Sequence, residues 1–105
     1  MSSLADLVAA YDRPVEMGKG PLLLQMEALN GGAEARRLAD SPDPAERRLA
    51  ARLMHLLPET EHLNALERLV TDPDPGVATA ARRAFAGQRR TPDWHAAAAR
   101  LDFSD

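Results

Sequence analysis

The side chains best suited to chemistry in this sequence are basic, and they recur on the outer faces of two predicted helices. At about 100° per residue, helices over residues 44–57 and 75–90 each place basic residues opposite an apolar stripe. The two sets together are Arg48, Arg52, His55, Arg82, Arg83 and Arg90. Guanidinium groups collected on one face attract carboxylates and phosphates. The pattern predicts a partner-binding ridge for an acidic or phosphorylated protein surface, or else a solvated helix face.

The same ridge would also suit the phosphate backbone of a nucleic acid. Residues 75–90 contain four arginines and no acidic residue, which favours an anionic ligand of either kind. The net charge of the whole chain is −3, however, and no aromatic residues alternate with these arginines. We therefore expect an acidic protein partner, with nucleic acid as the alternative.

Residues for metal binding or covalent catalysis are sparse. Glu59 and His62 are three residues apart, a spacing that can bring two ligands to one helix face, but no second pair lies nearby. We expect solvated or capping roles for both. There is no cysteine, and the four serines fall in the tails or at a helix corner. Gly18-Lys19-Gly20 lacks the spacing of a phosphate-binding loop and is predicted to be a connector. We expect no enzymatic activity, no cofactor and no metal site.

The helices that would position the ridge belong to an internal repeat. Pro42-Asp43-Pro44 recurs 31 residues later as Pro73-Asp74-Pro75, each time between two helical patterns. A recurrence of 20–50 residues made of helix pairs is typical of α-solenoids, and no segment shows the alternation of a strand. We predict one all-α domain over residues 1–105, with its clearest repeats at 31–58 and 59–90. Its architecture would be a short α-solenoid of about three stacked αα-hairpins, the first degenerate, with a C-terminal capping helix.

Polar residues, prolines and glycines mark the predicted helix ends. Asn30-Gly31-Gly32 is expected to stop the second helix, and the third would then cover residues 33–39. Trp94 is expected to pack the last helix onto the stack, and Met17, Met26 and Met54 to fill gaps in the core. The predicted helix starts are Ser3 with Asp6, Asp43 with Pro44 and Glu46, Asp74 with Pro75, and Thr91-Pro92-Asp93.

The second copy of the repeat resembles the HEAT repeat, particularly the short bacterial kind also found in phycobilin lyase-like proteins. The matching residues are Asp72, Asp74, Pro75, Val77, Ala81, Ala84 and Phe85. Ala78 replaces the arginine that the family has after the valine, whereas the upstream copy keeps that arginine as Arg47 and replaces the valine with Glu46. The resemblance covers residues 31–90. It implies a bacterial scaffold or adaptor that holds a protein along the second helix of each pair.

Composition and the first residues indicate the cellular compartment in which we expect the protein. Without cysteine the chain suits a reducing compartment, and no apolar run approaches the roughly 18 residues of a membrane span. Met1-Ser2-Ser3-Leu4 lacks the basic segment of a secretory signal, so we expect a cytoplasmic protein with no membrane partner. A short solenoid with uncovered ends could also self-associate end to end.

Overall fold

Every regular element of the protein is helical in the computed structural model, which describes residues 3–13 and 19–103. The described residues form seven α-helices and one 3₁₀ turn and contain no β-strand, so the predicted all-α class is confirmed. The helices are α1 (Leu4–Tyr11), α2 (Gly20–Ala28), α3 (Gly31–Leu38), α4 (Pro44–Leu56), α5 (Leu63–Leu69), α6 (Pro75–Ala86) and α7 (Trp94–Leu101), and the 3₁₀ turn covers Thr60–His62.

The starts of α4 and α6 follow the repeated Asp-Pro sequence. The Asp43 carboxylate accepts the Ala45 N–H at 2.9 Å, and the Asp74 carboxylate accepts the Val77 N–H at 3.0 Å. Each cap satisfies a backbone donor that the first helical turn leaves without a partner. A proline follows each aspartate, at a position where its missing N–H costs nothing. These two caps were predicted, and so was the capping box between Ser3 and Asp6 that begins α1.

Two predicted helix starts are built differently. Glu46 does not complete a capping box with Asp43, because the Ser41 hydroxyl donates to Glu46 Oε1 at 2.9 Å and accepts the Asp43 N–H at 3.1 Å. The expected cap at 91–93 is also wrong, since α7 begins only at Trp94 and the Asp93 side chain caps nothing. There the Trp94 N–H bonds to the Thr91 carbonyl within a turn.

Gly31 and Gly32 form the first turn of α3 instead of a break between helices. The break falls at Asn30, which adopts the left-handed conformation with φ 58° and ψ 44°. The two glycines allow a close approach of neighbouring segments. A Cβ on Gly31 would lie 2.9 Å from the Met26 carbonyl oxygen, and one on Gly32 would lie 1.7 Å from Glu59 Oε2. The third helix therefore begins two residues before its predicted start.

The helices pack in pairs, and the second members of two pairs lie side by side. Helix α3 packs against α4, and α5 packs against α6, while the most extensive contact in the fold joins α4 to α6. Helix α1 contacts both α2 and α4, and α7 contacts α5. The Cα radius of gyration is 13.4 Å. That is about the value for a compact domain of 100 residues.

The core consists largely of leucine and alanine. Small residues such as Ala50, Ala51, Ala81 and Ala84 are fully buried, which allows the close approach of α4 and α6. Met26 and Met54 are also fully buried, as predicted, whereas Met17 lies outside the described residues. The predicted connector at 18–20 is only partly described: Lys19 precedes α2, and Gly20 is its first residue.

Trp94 attaches α7 to the rest of the fold, as expected. Its indole Nε1–H donates to the Phe85 carbonyl at 2.7 Å. The Phe85 ring lies 5.5 Å from the indole and 4.9 Å from the Phe103 ring, centroid to centroid. Within residues 3–13 and 19–103, each helix is too short or too polar to cross a lipid bilayer.

Candidate partner-binding groove

A groove of about 600 Å³ runs between α4 and α6 and collects most of the predicted basic residues. Arg48, Arg52 and His55 reach it together because positions i, i+4 and i+7 of a helix share one face. On α6, Gly76, Thr79 and Arg83 occupy positions i, i+3 and i+7, which likewise share one face. The complete lining is Asp12, Arg48, Arg52, His55, Pro75, Gly76, Thr79, Ala80 and Arg83.

The two helices that form the groove run in the same direction. The Arg48 guanidinium lies beside the start of α6, where a Cβ on Gly76 would be 3.9 Å from Arg48 Nη1. The His55 ring lies beside its end, where a Cβ on Gly87 would be 3.7 Å from His55 Nδ1. The basic side chains of α4 therefore extend along α6 and do not cluster at one point.

Three of the four basic side chains in the groove form no ion pair with a described carboxylate. Within the described ranges, no acidic side chain lies within ion-pair distance of Arg48, Arg83 or His55, and all three are exposed. Arg52 differs, since its Nη2 donates to the Asp12 carboxylate at the end of α1. Sequence reasoning missed Asp12, because it lies 40 residues from Arg52 and no local pattern relates the two positions.

Two predicted ridge residues do not line this groove. Arg82 follows a different face from Arg83, because adjacent helical positions diverge by about 100°. Its guanidinium carbon lies 5.2 Å from the centroid of the Phe103 ring. Arg90 lies beyond the end of α6 and lines a separate cavity of about 420 Å³ that also includes Glu59 and Gln88. The candidate site is therefore narrower than the predicted ridge.

The Glu59 and His62 pair forms a partly exposed cluster with Arg36, in which only His62 is fully buried. The expected solvated role is wrong for His62, whose side chain is fully buried. Its Nε2 lies 2.9 Å from the Leu57 carbonyl oxygen, and its Nδ1 lies 3.3 Å from Arg36 Nη1. Arginine only donates, so Nδ1 accepts and Nε2–H donates to Leu57, which assigns the neutral ring. Burial is the main cause that lowers the pKa of His62.

Glu59 contacts both Arg36 of α3 and His62. Its Oε1 accepts from Arg36 at 3.2 Å, and its Oε2 lies 3.6 Å from His62 Nε2. In the part of the chain that the structure describes, no group of three or more His, Asp or Glu side chains could hold a metal ion.

Arg47 joins the two Asp-Pro corners at the starts of α4 and α6. Its Nε donates to Asp72 Oδ2 at 2.8 Å, its Nη2 to Asp72 Oδ1 at 3.2 Å, and its Nη1 to the Ser41 carbonyl at 2.9 Å. Asp72 also accepts the Asp74 N–H at 2.9 Å. The hydrogen bond from Arg47 is the main cause that lowers the pKa of the Asp72 carboxyl. This bidentate pair fixes the starts of α4 and α6, and hence the groove between them, relative to each other.

No protein-family model, no curated protein and no solved structure matches this chain. The resemblance of residues 72–85 to the HEAT repeat therefore stays a prediction from the residues that carry it.

Proposed function

We propose that this protein is a small, non-enzymatic interaction module that binds an acidic protein partner in the groove between α4 and α6. The supporting observation is that the groove contains exposed basic side chains without a carboxylate partner among the described residues. Arg48 and Arg83, in the groove, have no carboxylate partner, although the chain has a net charge of −3. Ion pairs with an aspartate or glutamate are made outside the groove by Arg36, Arg37, Arg47, Arg68 and Arg100, and inside it by Arg52.

The architecture that we propose for this module is a short HEAT-like α-solenoid. Three observations support it: α3 and α4 pack as a pair, α5 and α6 pack as the next pair, and the second helices run in the same direction. The Arg47–Asp72 pair links equivalent corners of the two units. In such a stack the second helices form one continuous surface, which is where solenoids bind their partners.

A peptide or protein ligand suits this groove better than a nucleic acid. No Phe, Tyr or Trp is among the residues that line it, so it lacks the large aromatic rings on which bases usually stack. Nucleic-acid binding is therefore the alternative that the experiment must separate.

The neighbouring residues Arg83 and Arg82 provide a matched test, since only Arg83 lines the groove. We expect Arg83→Glu to weaken binding of a fluorescein-labelled hexaglutamate peptide by about tenfold or more, because one attraction is lost and one repulsion is added. Arg82→Glu makes the same change in net charge and should weaken binding less than about threefold. Fluorescence anisotropy at fixed, low ionic strength measures both.

The outcomes of this test separate groove binding from general charge attraction. Equal losses in the two variants would show that only net charge matters. No binding of hexaglutamate by the unaltered protein would refute the proposal. Tighter binding of an oligothymidylate of equal charge, with affinity falling steeply as salt rises, would instead favour the nucleic-acid alternative. Thermal melts of both variants verify that the fold is intact.

A further inference from the structure

The groove already holds one carboxylate of the protein itself. Asp12 lines the groove and accepts a hydrogen bond from Arg52 Nη2, across 40 residues of sequence. The Asp12 side chain keeps 54% of its surface exposed, and that of Arg52 keeps 25%. A carboxylate in this position marks where a partner's acidic side chain would bind.

Helix α1 itself does not stabilise the negative charge of Asp12. Asp12 is the C-cap of α1, and the last turn of that helix contains no basic residue. A negative charge at a helix C-terminus is unfavourable, because the carbonyl ends of the peptide dipoles point towards it. Arg52 of α4, the helix against which α1 packs, compensates for this charge. Exposed ion pairs contribute little to stability, so a competing carboxylate can replace Asp12.

We propose that Asp12 is a built-in competitor for the acidic partner. In the bound state a carboxylate of the partner takes the place of Asp12 at Arg52, while Arg48 and Arg83 receive further acidic side chains. The ligand class is a peptide segment with several neighbouring Glu or Asp residues. This inference rests on the proposed function and adds to it the carboxylate that sets the affinity of the groove.

The ion pair between Asp40 and Arg68 supplies a matched control outside the groove. Both side chains of that pair are exposed, at 73% and 63%, with 3.2 Å between Asp40 Oδ1 and Arg68 Nη2. Asp12→Asn should tighten hexaglutamate binding about threefold to fivefold, the effect of removing one exposed ion pair. Asp40→Asn changes the net charge equally and should alter the affinity less than about 1.5-fold, because that charge lies outside the groove.

A double-mutant cycle with Arg52→Gln tests the mechanism of competition. If Asp12 acts by occupying Arg52, Asp12→Asn should change the affinity less than about twofold once Arg52 is replaced. Anisotropy titrations of the unaltered protein, the three single variants and the Asp12→Asn/Arg52→Gln variant give all the values. Melting curves verify that each variant is folded.

The possible outcomes separate the competitor inference from the proposed function and from the choice of ligand class. If the unaltered protein binds hexaglutamate and Asp12→Asn leaves the affinity unchanged or weaker, the competitor inference is overturned and the proposed function stands. If Asp40→Asn increases the affinity for hexaglutamate as much as Asp12→Asn does, the competitor inference is also overturned, because the effect would then depend on net charge alone. If neither the unaltered protein nor Asp12→Asn binds, both proposals fall. If Asp12→Asn binds oligothymidylate more tightly than hexaglutamate, the ligand class is wrong.

Discussion

Replacing Phe85 with alanine should lower the free energy of unfolding by about 3–5 kcal/mol. Phe85 is fully buried near the end of α6 and packs against the rings of Trp94 and Phe103. Its removal leaves a cavity where α7 joins the fold, and the surrounding side chains refill such cavities only in part. A domain of this size has a total stability of about 5–15 kcal/mol, so the variant should be close to unfolding.

Urea denaturation followed by far-UV circular dichroism and by tryptophan fluorescence measures this effect. Trp94 is the only tryptophan, so its fluorescence reports directly on the affected contact. Leu24→Ala is the control, because that leucine on α2 is 66% exposed; its effect should stay below about 0.5 kcal/mol. A Phe85→Ala protein within about 1 kcal/mol of the unaltered one would contradict the packing described for α6 and α7.

His62 should make the protein less stable as the pH falls below about 6.5. Burial lowers the pKa of His62 in the folded state, so the unfolded chain takes up the proton first. The contribution of the neutral ring is therefore fully present above the unfolded pKa. It is lost as the pH falls from there towards the lowered folded pKa. The free energy of unfolding should decrease by up to about 1.4 kcal/mol per pH unit in this window.

The charged groups around His62 act in both directions. Glu59 and Glu61 favour its protonation, whereas the Arg36 guanidinium at Nδ1 opposes it. Urea denaturation between pH 5 and pH 7 measures the slope, and a His62→Gln variant should lose it. If that variant does not fold, nitrogen-15 shifts of the His62 ring in the unaltered protein provide a second measurement. They should show the neutral Nε2–H form at pH 7 and protonation only at a pH below that of an ordinary histidine, and a ring protonated at pH 7 would contradict the assignment.

Local sequence patterns predicted the elements better than the contacts between them. The Asp43 and Asp74 caps involve only residues two or three positions along the chain, so the Asp-Pro sequence was sufficient to predict them. Helical periodicity also predicted that Arg48, Arg52 and His55 share one face, and all three line the groove. Gly31 and Gly32 were misjudged because their close neighbours, Leu57 and Glu59, come from a segment more than twenty residues later in the chain.

Part of the candidate site depends on tertiary contacts that helical periodicity does not encode. Arg82 and Arg90 have the right charge, but the local turn of α6 and the chain after Gly87 direct them elsewhere. Asp12 belongs to a helix with no pattern relating it to α4, and only the packing of α1 against α4 brings it to Arg52. His62 ends the 3₁₀ turn, is fully buried and contacts Arg36 of α3, whereas its spacing from Glu59 alone could equally describe a surface residue.

The most direct test of binding in the α4–α6 groove is a nitrogen-15 NMR titration of the full chain with hexaglutamate. Binding there predicts the largest backbone shift changes at Arg48, Arg52, Gly76, Thr79 and Arg83, with residues of α2 and α7 nearly unchanged. Largest changes around Arg90 and Gln88, or no saturable changes at all, would contradict it.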